Sequence, residues 1–204
     1  LGKIELKKLF EAKNLSDSDF NEIENSLSLL SRSKFYIDDT SALSPSEILS
    51  RSRKLKRENP DLGLIIIDYM QLMRADNRND NRVSEMSEIS RSLKALAKEI
   101  DVPVIALSQL NRAPETRTGK KPVLADLKDS GAIEQDADIV TFVFRAEKYE
   151  QVPENKGLAV IDIAKHRNGP TGTVKLYFSE KYTKFEDLAL DDPALKNPDF
   201  TSED

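Results

Sequence analysis

The sequence predicts an α/β fold, a mostly parallel sheet flanked by helices with a C-terminal antiparallel β-hairpin addition. Two short, continuous apolar runs carry the parallel part: residues 64–69 (Leu-Ile-Ile-Ile-Asp-Tyr) and 102–108 (Val-Pro-Val-Ile-Ala-Leu-Ser) suit strands buried on both faces. Between them Val83, Met86, Ile89, Leu93, Leu96, Ala97 and Ile100 draw one apolar stripe at helical spacing, with Glu85, Glu88, Arg91, Lys94 and Lys98 opposite. Residues 158–164 and 173–178 are β-rich and are separated by His166-Arg167-Asn168-Gly169-Pro170-Thr171-Gly172, which has the chemistry of a hairpin turn. Strand, helix, strand in this order needs a crossover connection, and hence parallel neighbours, before the hairpin.

The remaining elements follow in order. Ser16 with Asp19 three residues later is a capping box, and Phe20, Ile23, Leu27 and Leu30 continue it as an amphipathic helix over residues 17–32. Residues 35–38 (Phe-Tyr-Ile-Asp) read as a short strand. Ser44 as N-cap, Pro45 in the first turn and Glu47 closing the box start the next helix, which Asn59-Pro60 ends. Residues 74–82 lack apolar periodicity and read as an exposed, mobile loop. Residues 109–122 form a polar loop with Arg112, Arg117, Lys120 and Lys121, and a third apolar strand covers residues 138–145.

The 204 residues suffice for one α/β domain of ordinary size or two small ones. With 33% charged and 38% hydrophobic residues, the chain is neither disordered nor a membrane protein, and no run approaches the ~18 apolar residues of a spanning helix. The absence of cysteine excludes disulfides and thiolate metal sites, and the single histidine, His166, excludes a His pair. Seven glycines are present, and no pair of them has the spacing of a phosphate-binding loop. The formal charge of −5 belongs to one end: from Glu180 to Asp204 eight acids face three bases, while residues 1–179 balance. Such an acidic stretch with Pro193 and Pro198 reads as a solvated, frayed tail. The chain opens at Leu1 with neither methionine nor a signal-like stretch, as expected of a piece of something longer.

Ligands of parallel sheets bind beyond the carboxyl ends of the strands, where Asp68 and Gln109 stand. An acid after four hydrophobic residues is the Walker B pattern, in which the carboxylate holds Mg²⁺ directly or through water, although a buried strand also ends in Asp simply where a loop begins. Gln109 suits either a hydrogen bond to a terminal phosphate or a strand cap. In residues 128–138 Gly131 admits close approach of backbone N–H groups to a ligand and Lys128 adds charge, a phosphodiester clamp that needs no base contact. The same stretch is compatible with a plain helix start between two strands. Lys165 and Arg167 project from one face of a strand end. They are either solvated surface or a cationic donor inserted into a neighbouring subunit's nucleotide site.

In sequence order, Leu64-Ile-Ile-Ile-Asp-Tyr-Met-Gln-Leu-Met73, Ser87-Glu-Ile-Ser-Arg-Ser-Leu-Lys-Ala-Leu-Ala97, Val104-Ile-Ala-Leu-Ser-Gln-Leu-Asn-Arg112, Asp129-Ser-Gly-Ala-Ile-Glu-Gln-Asp-Ala-Asp138 and Ala164-Lys-His-Arg-Asn-Gly-Pro-Thr-Gly-Thr-Val174 together resemble the RecA-type motor domain of the bacterial replicative hexameric helicases, the DnaB family. The resemblance implies a RecA-like fold over residues 1–187, preceding a tail at 188–204. It implies an ATP-dependent 5′ to 3′ DNA helicase of the cytoplasm, using ATP and Mg²⁺, with single-stranded DNA, sister subunits of a homohexamer, primase and a helicase loader as partners, and no membrane. By position, Asp68 becomes the Walker B acid, Gln109 the glutamine that links the γ-phosphate to the DNA loops, and Lys165 and Arg167 the finger reaching a neighbour's ATP. Lys128, Asp129 and Gly131 fall in the loop that holds DNA, and Arg74 and Arg82 bound the other channel loop. Family members usually carry arginine and glutamate at positions 128 and 129 and glutamine at 166, where this chain has Lys128, Asp129 and His166. The family's Walker A strand and loop and its catalytic glutamate would precede Leu1, so the chain alone is expected to lack ATPase activity and either to expose a sheet edge or to swap strands with another copy. A RecA-type recombinase, a regulatory ATPase and a non-catalytic module binding DNA or a helicase are the alternatives.

Overall fold

The computed structural model describes residues 4–11, 15–77, 81–111, 121–149 and 152–189, without the side chains of residues 128–130 and 154. The described residues fall into two compact units, one drawn from Leu1–Asp38, Val143–Asp162 and Gly172–Asp204, the other from Asp39–Phe142 and Ile163–Thr171. Of the acidic tail expected at 188–204, all but the first two residues lie outside the described residues. No described helix is long and apolar enough to cross a membrane.

In the first unit, α1 (Leu6–Glu11) and α2 (Asp17–Arg32) are helices without a buried residue. α2 owes its start to local chemistry: the Ser16 hydroxyl accepts from the Asp19 N–H, and the Asp19 carboxylate accepts from the Ser16 N–H at 2.9 Å.

The second unit contains α3 (Pro45–Glu58), β1 (Ile65–Ile67), α4 (Arg82–Ile100), β2 (Val104–Ala106) and α5 (Gly131–Asp136). α3 is capped as expected, with Ser44 N–H donating to Glu47 Oε2 at 2.8 Å. α4 starts at Asn81, whose side chain accepts from Val83 N–H at 2.9 Å, and stops at Asp101, which takes the left-handed conformation at φ 51°. β1 and β2 pair in parallel, Ile65 with Val104 and Ile67 with Ala106. Their alternate side chains face α3 and α4: Ile67 and Ala106 pack on Met70, Met73, Met86, Ile89 and Leu93, and Ile65 and Val104 on Leu96, Ile100 and Val102. Ile66 and Ile105 point the other way and are 58% and 52% exposed. This corrects the expected burial of both faces, since strand alternation sends only every second side chain to the helices. The expected strand at residues 35–38 is also corrected. It has no regular structure, and Phe35 and Ile37 are exposed. A strand needs a neighbour to satisfy its backbone groups, and no described strand pairs with it.

A four-stranded antiparallel sheet follows, in the order β3 (Ile139–Arg145), β4 (Leu158–His166), β5 (Gly172–Ser179) and β6 (Lys184–Asp187). The antiparallel part is thus wider than a hairpin. β3 buries Val140, Phe142 and Phe144 on one side, as its alternation dictates. In the second unit Val140 and Phe142 pack with Leu127, and in the first Phe144 packs with Ala146, Leu158 and Val160. β6 pairs Phe185 with Phe178 of β5, their rings 4.9 Å apart. Gly157 precedes β4 at φ 70°, and a Cβ there would stand 2.3 Å from the Tyr177 ring, so this turn admits only glycine.

Candidate functional site

The candidate site lies in the second unit, where the loops after β1 and β2 leave the same end of a parallel pair. The ladder closes with Leu107 N–H donating to Ile67 O and Met70 N–H to Leu107 O, both at 2.9 Å. Asp68, directly after β1, is exposed and receives no ion pair from a described residue. Its peptide bond to Tyr69 is cis. The chain then makes the single turn Met70–Leu72, anchored by the buried Met70 and, just after it, Met73 on α4. Gln109, also exposed, follows β2. The two strands are neighbours, as the strand-end reading of Asp68 and Gln109 requires.

A residue that sequence reasoning did not single out joins the two loops. The Gln71 amide donates to Ser108 Oγ at 3.0 Å and to Gln109 O at 3.3 Å, and Gln71 Oε1 accepts from Gln109 N–H at 3.1 Å. Arg82 in turn donates to Gln71 O at 2.7 Å and pairs with Glu85, whose carboxyl this hydrogen bond holds below the usual carboxylate range. Arg74 pairs with Glu47 Oε1 at 2.7 Å. The Glu47 carboxyl is also held low, first by the Ser44 N–H that it accepts and then by Arg74. Asn77 donates through its backbone and side chain to Glu88 Oε1 at 3.2 and 3.1 Å. Both arginines that flank the expected channel loop are therefore tied to helices, while residues 78–80 of that loop lie outside the described residues.

The second constellation surrounds α5. The side chains of Lys128 and Asp129, at the end of the turn Leu124–Ser130, lie outside the described residues. Gly131 opens α5 at an ordinary helical φ of −52°, and a Cβ there would meet no described atom within 4 Å. Lys165 and Arg167 do project together, as alternation requires, and both cap the carbonyl end of α5. Lys165 Nζ donates to Glu134 O and Gln135 O, and Arg167 Nη2 donates to Gln135 O at 3.0 Å. Arg167 N–H donates to Asp138 O at 2.8 Å, and its Nε stands 3.5 Å from Asp138 Oδ1. The other Asp138 oxygen accepts from Lys94 of α4, which, first among several cations, holds the Asp138 carboxyl below its ordinary range. His166 is a packing residue: its Nδ1 lies 3.1 Å from Pro170 O, and its ring fills the space a Cβ on Gly169 would need.

Among the described residues no group of three or more acids or histidines could hold a metal ion. Asp68 offers one carboxylate, which fits Mg²⁺, an ion that takes one or two protein carboxylates and completes its octahedron with water and phosphate oxygens.

A family model, the DnaB-like helicase C terminal domain, matches residues 1–187, and the chain belongs to that family. Replicative DNA helicase DnaB of Pasteurella multocida (strain Pm70) is 50% identical over 190 residues, which are 93% of this chain and 41% of that protein. Replicative DNA helicase DnaC of Bacillus subtilis (strain 168) is 50% identical over 176 residues, 86% of this chain and 38% of that protein. The chain thus spans about two fifths of the length of these curated relatives. Among solved structures, a chain described as an ATPase domain superposes with a TM-score of 0.88 at 41% identity, covering 92% of this chain and 67% of that one. A DnaB-like replicative helicase, solved to describe its interactions with primase, gives the same score and identity over 92% of this chain and 46% of that one. The fold is that of the RecA-like ATPase domains.

Proposed function

We propose that this chain is part of an ATP-driven replicative helicase that moves 5′ to 3′ on single-stranded DNA as a homohexameric ring and unwinds the duplex at the fork. The family match over residues 1–187 carries the reading, and the strand-end layout of Asp68 and Gln109 supports it. Residues 1–187 form its motor portion and 188–204 its acidic tail. It works in the cytoplasm, in a primosome with primase and a helicase loader.

In this reading Asp68 would hold Mg²⁺, directly or through water, and the ion would supply positive charge to the nucleotide phosphates. Gln109 donates its side-chain amide to the terminal phosphate. Lys165 and Arg167 serve the ATP of the adjacent subunit, where a guanidinium stabilises charge on the transferring phosphoryl group. The loop that carries Lys128, Asp129 and Gly131 holds single-stranded DNA by its phosphates, through the lysine and backbone N–H groups, with Arg74 and Arg82 at the second loop. The fold leaves Gly131 room for a side chain, so a ligand approaching from outside is a better reason for glycine there than packing is.

No glycine-rich phosphate loop exists in the sequence, so the purified 204-residue chain is expected to show no measurable ATPase and to poison the ATPase of an intact hexamer when mixed with it. Robust magnesium-dependent turnover by the chain alone overturns this reading. Absence of poisoning alongside intact DNA binding replaces it with a non-catalytic module. For the DNA loop, Lys128→Ala should weaken single-strand binding and flatten its salt dependence; unchanged affinity across a salt series removes that assignment.

A further inference from the structure

We infer that Gln71 is a positioning residue for Gln109, and that through Arg82 it joins the nucleotide-facing strand end to the loop that opens α4. The inference rests on the proposed role of Gln109 at the terminal phosphate.

The β1–β2 ladder ends at Leu107, because the chain after Asp68 turns away into Met70–Leu72. Among the described residues, nothing on the main chain of that turn continues the ladder to Gln109. The Gln71 side chain takes its place: one oxygen accepts the Gln109 N–H, and one nitrogen donates to the Gln109 carbonyl and to the Ser108 hydroxyl. This is the pairing a neighbouring strand would make, supplied by a single side chain. It needs a neutral amide, which has donors and an acceptor in one plane. A carboxylate only accepts, lysine and arginine only donate, and asparagine is one methylene shorter.

With N–H and C=O of Gln109 both fixed, its exposed side chain leaves the backbone in a set direction. Gln71 is itself held by Arg82, which donates to its carbonyl at 2.7 Å while pairing with Glu85. Arg82 is the first residue of α4 and closes the loop that begins at Arg74. A phosphate that draws the Arg82 guanidinium away from Gln71 O therefore releases the turn that orients Gln109, and a displaced Gln109 loosens Arg82 by the same bonds.

Two measurements test this. In the 204-residue chain, hydrogen exchange of the Gln109 amide should quicken in Gln71→Ala, whereas the amides of β1 and β2 keep their protection. Unchanged exchange at Gln109 overturns the inference. For function, the chain replaces the matched 190 residues of the Pasteurella multocida relative, and ATPase is measured with and without single-stranded DNA. Gln71→Glu, which has the same size and keeps the acceptor but loses the donor, should bring the stimulation by DNA down to about one while the KM for ATP stays within about twofold. Gln71→Asn should not restore it. A loss of folding alone would lower the yield and melting temperature of Gln71→Glu without singling out this ratio. Gln109→Ala separates the two levels. If it abolishes stimulation and Gln71→Glu does not, Gln71 has no positioning role. If Gln109→Ala keeps full stimulation, the role of Gln109 falls first and takes the inference with it.

Discussion

The two places where the proposed chemistry sits differ in what their charged groups already hold. After β1, Asp68 has an exposed carboxylate that no described cation touches, on a turn pinned from below by Met70 and Met73 against α4. At the end of β4, Lys165 and Arg167 are committed to the carbonyl end of α5 and to Asp138. The acid is placed by apolar packing and has its lone pairs to give. The cations are placed by polar bonds, and in the proposed role they would have to exchange the α5 carbonyls and, for Arg167, the Asp138 carboxylate for phosphate before they act. If Lys165 and Arg167 are the proposed finger, they are held in an ordered position until an anion replaces these partners.

The sharpest break in this comparison is Arg167→Ala in the chimaeric ring, where ATP turnover should fall by roughly 10³-fold, the usual worth of an arginine finger. A loss under about tenfold would leave capping of α5 as the whole role of Arg167. Next is Ile89→Ala. Ile89 is fully buried in the cluster that contains Met70, Met73 and Ile67 on the acid side and Ile133 of α5 on the cation side. Urea unfolding of the chain should show a loss of about 2–4 kcal/mol, and a loss below about 1 kcal/mol would mean that the two places do not share a support. Ser44→Ala removes the hydroxyl that accepts from the Glu47 N–H, while the Ser44 N–H that the Glu47 carboxylate accepts remains, and should cost about 1 kcal/mol by the same measurement. The smallest effect belongs to Asp138→Asn, a few tenths of a kcal/mol for a half-exposed pair. Its pH dependence is diagnostic. The Asp138 carboxyl is held low by Lys94, so its stabilisation is complete above the unfolded aspartate value of about 3.9 and disappears as pH falls through the lower folded value. The difference between the two proteins should therefore be constant near pH 6 and vanish at strongly acid pH.

Local chemistry made much of the fold legible. Ser16 with Asp19 and Ser44 with Glu47 marked two helix starts, and the stripe from Val83 to Ile100 marked α4, because capping and 3.6-residue periodicity depend on neighbours in sequence. What depends on partners distant in sequence was less legible. The segment Phe35-Tyr36-Ile37 has strand composition without a described strand beside it, and Ile66 and Ile105 belong to apolar runs although only their neighbours reach the helices. β6 escaped notice because a single Phe185 among charged residues carries its packing. In the candidate site, Asp68 and Gln109 stood out as polar ends of apolar runs. Gln71 lay inside a quoted motif with no spacing to mark it, since its role comes from a turn that brings it back to residues 37 and 38 positions away. Asp138 looked like the start of a strand, and its two cations come from α4 and the hairpin.

The open space beside Gly131 has a consequence for anyone who surveys variants of this chain. At Gly157 any side chain meets the Tyr177 ring, so replacements there should remove folded protein from the cell. At Gly131 a Cβ meets no described atom within 4 Å, and the backbone already has an ordinary helical φ that alanine adopts. If Gly131 lies in the loop that holds DNA, as proposed, a library scored for abundance should rank Gly131→Ala as harmless, and the same library scored for growth that depends on the helicase should rank it among the damaging changes. The gap between those two scores, more than either alone, distinguishes a glycine kept for the fold from one kept for what the fold must touch.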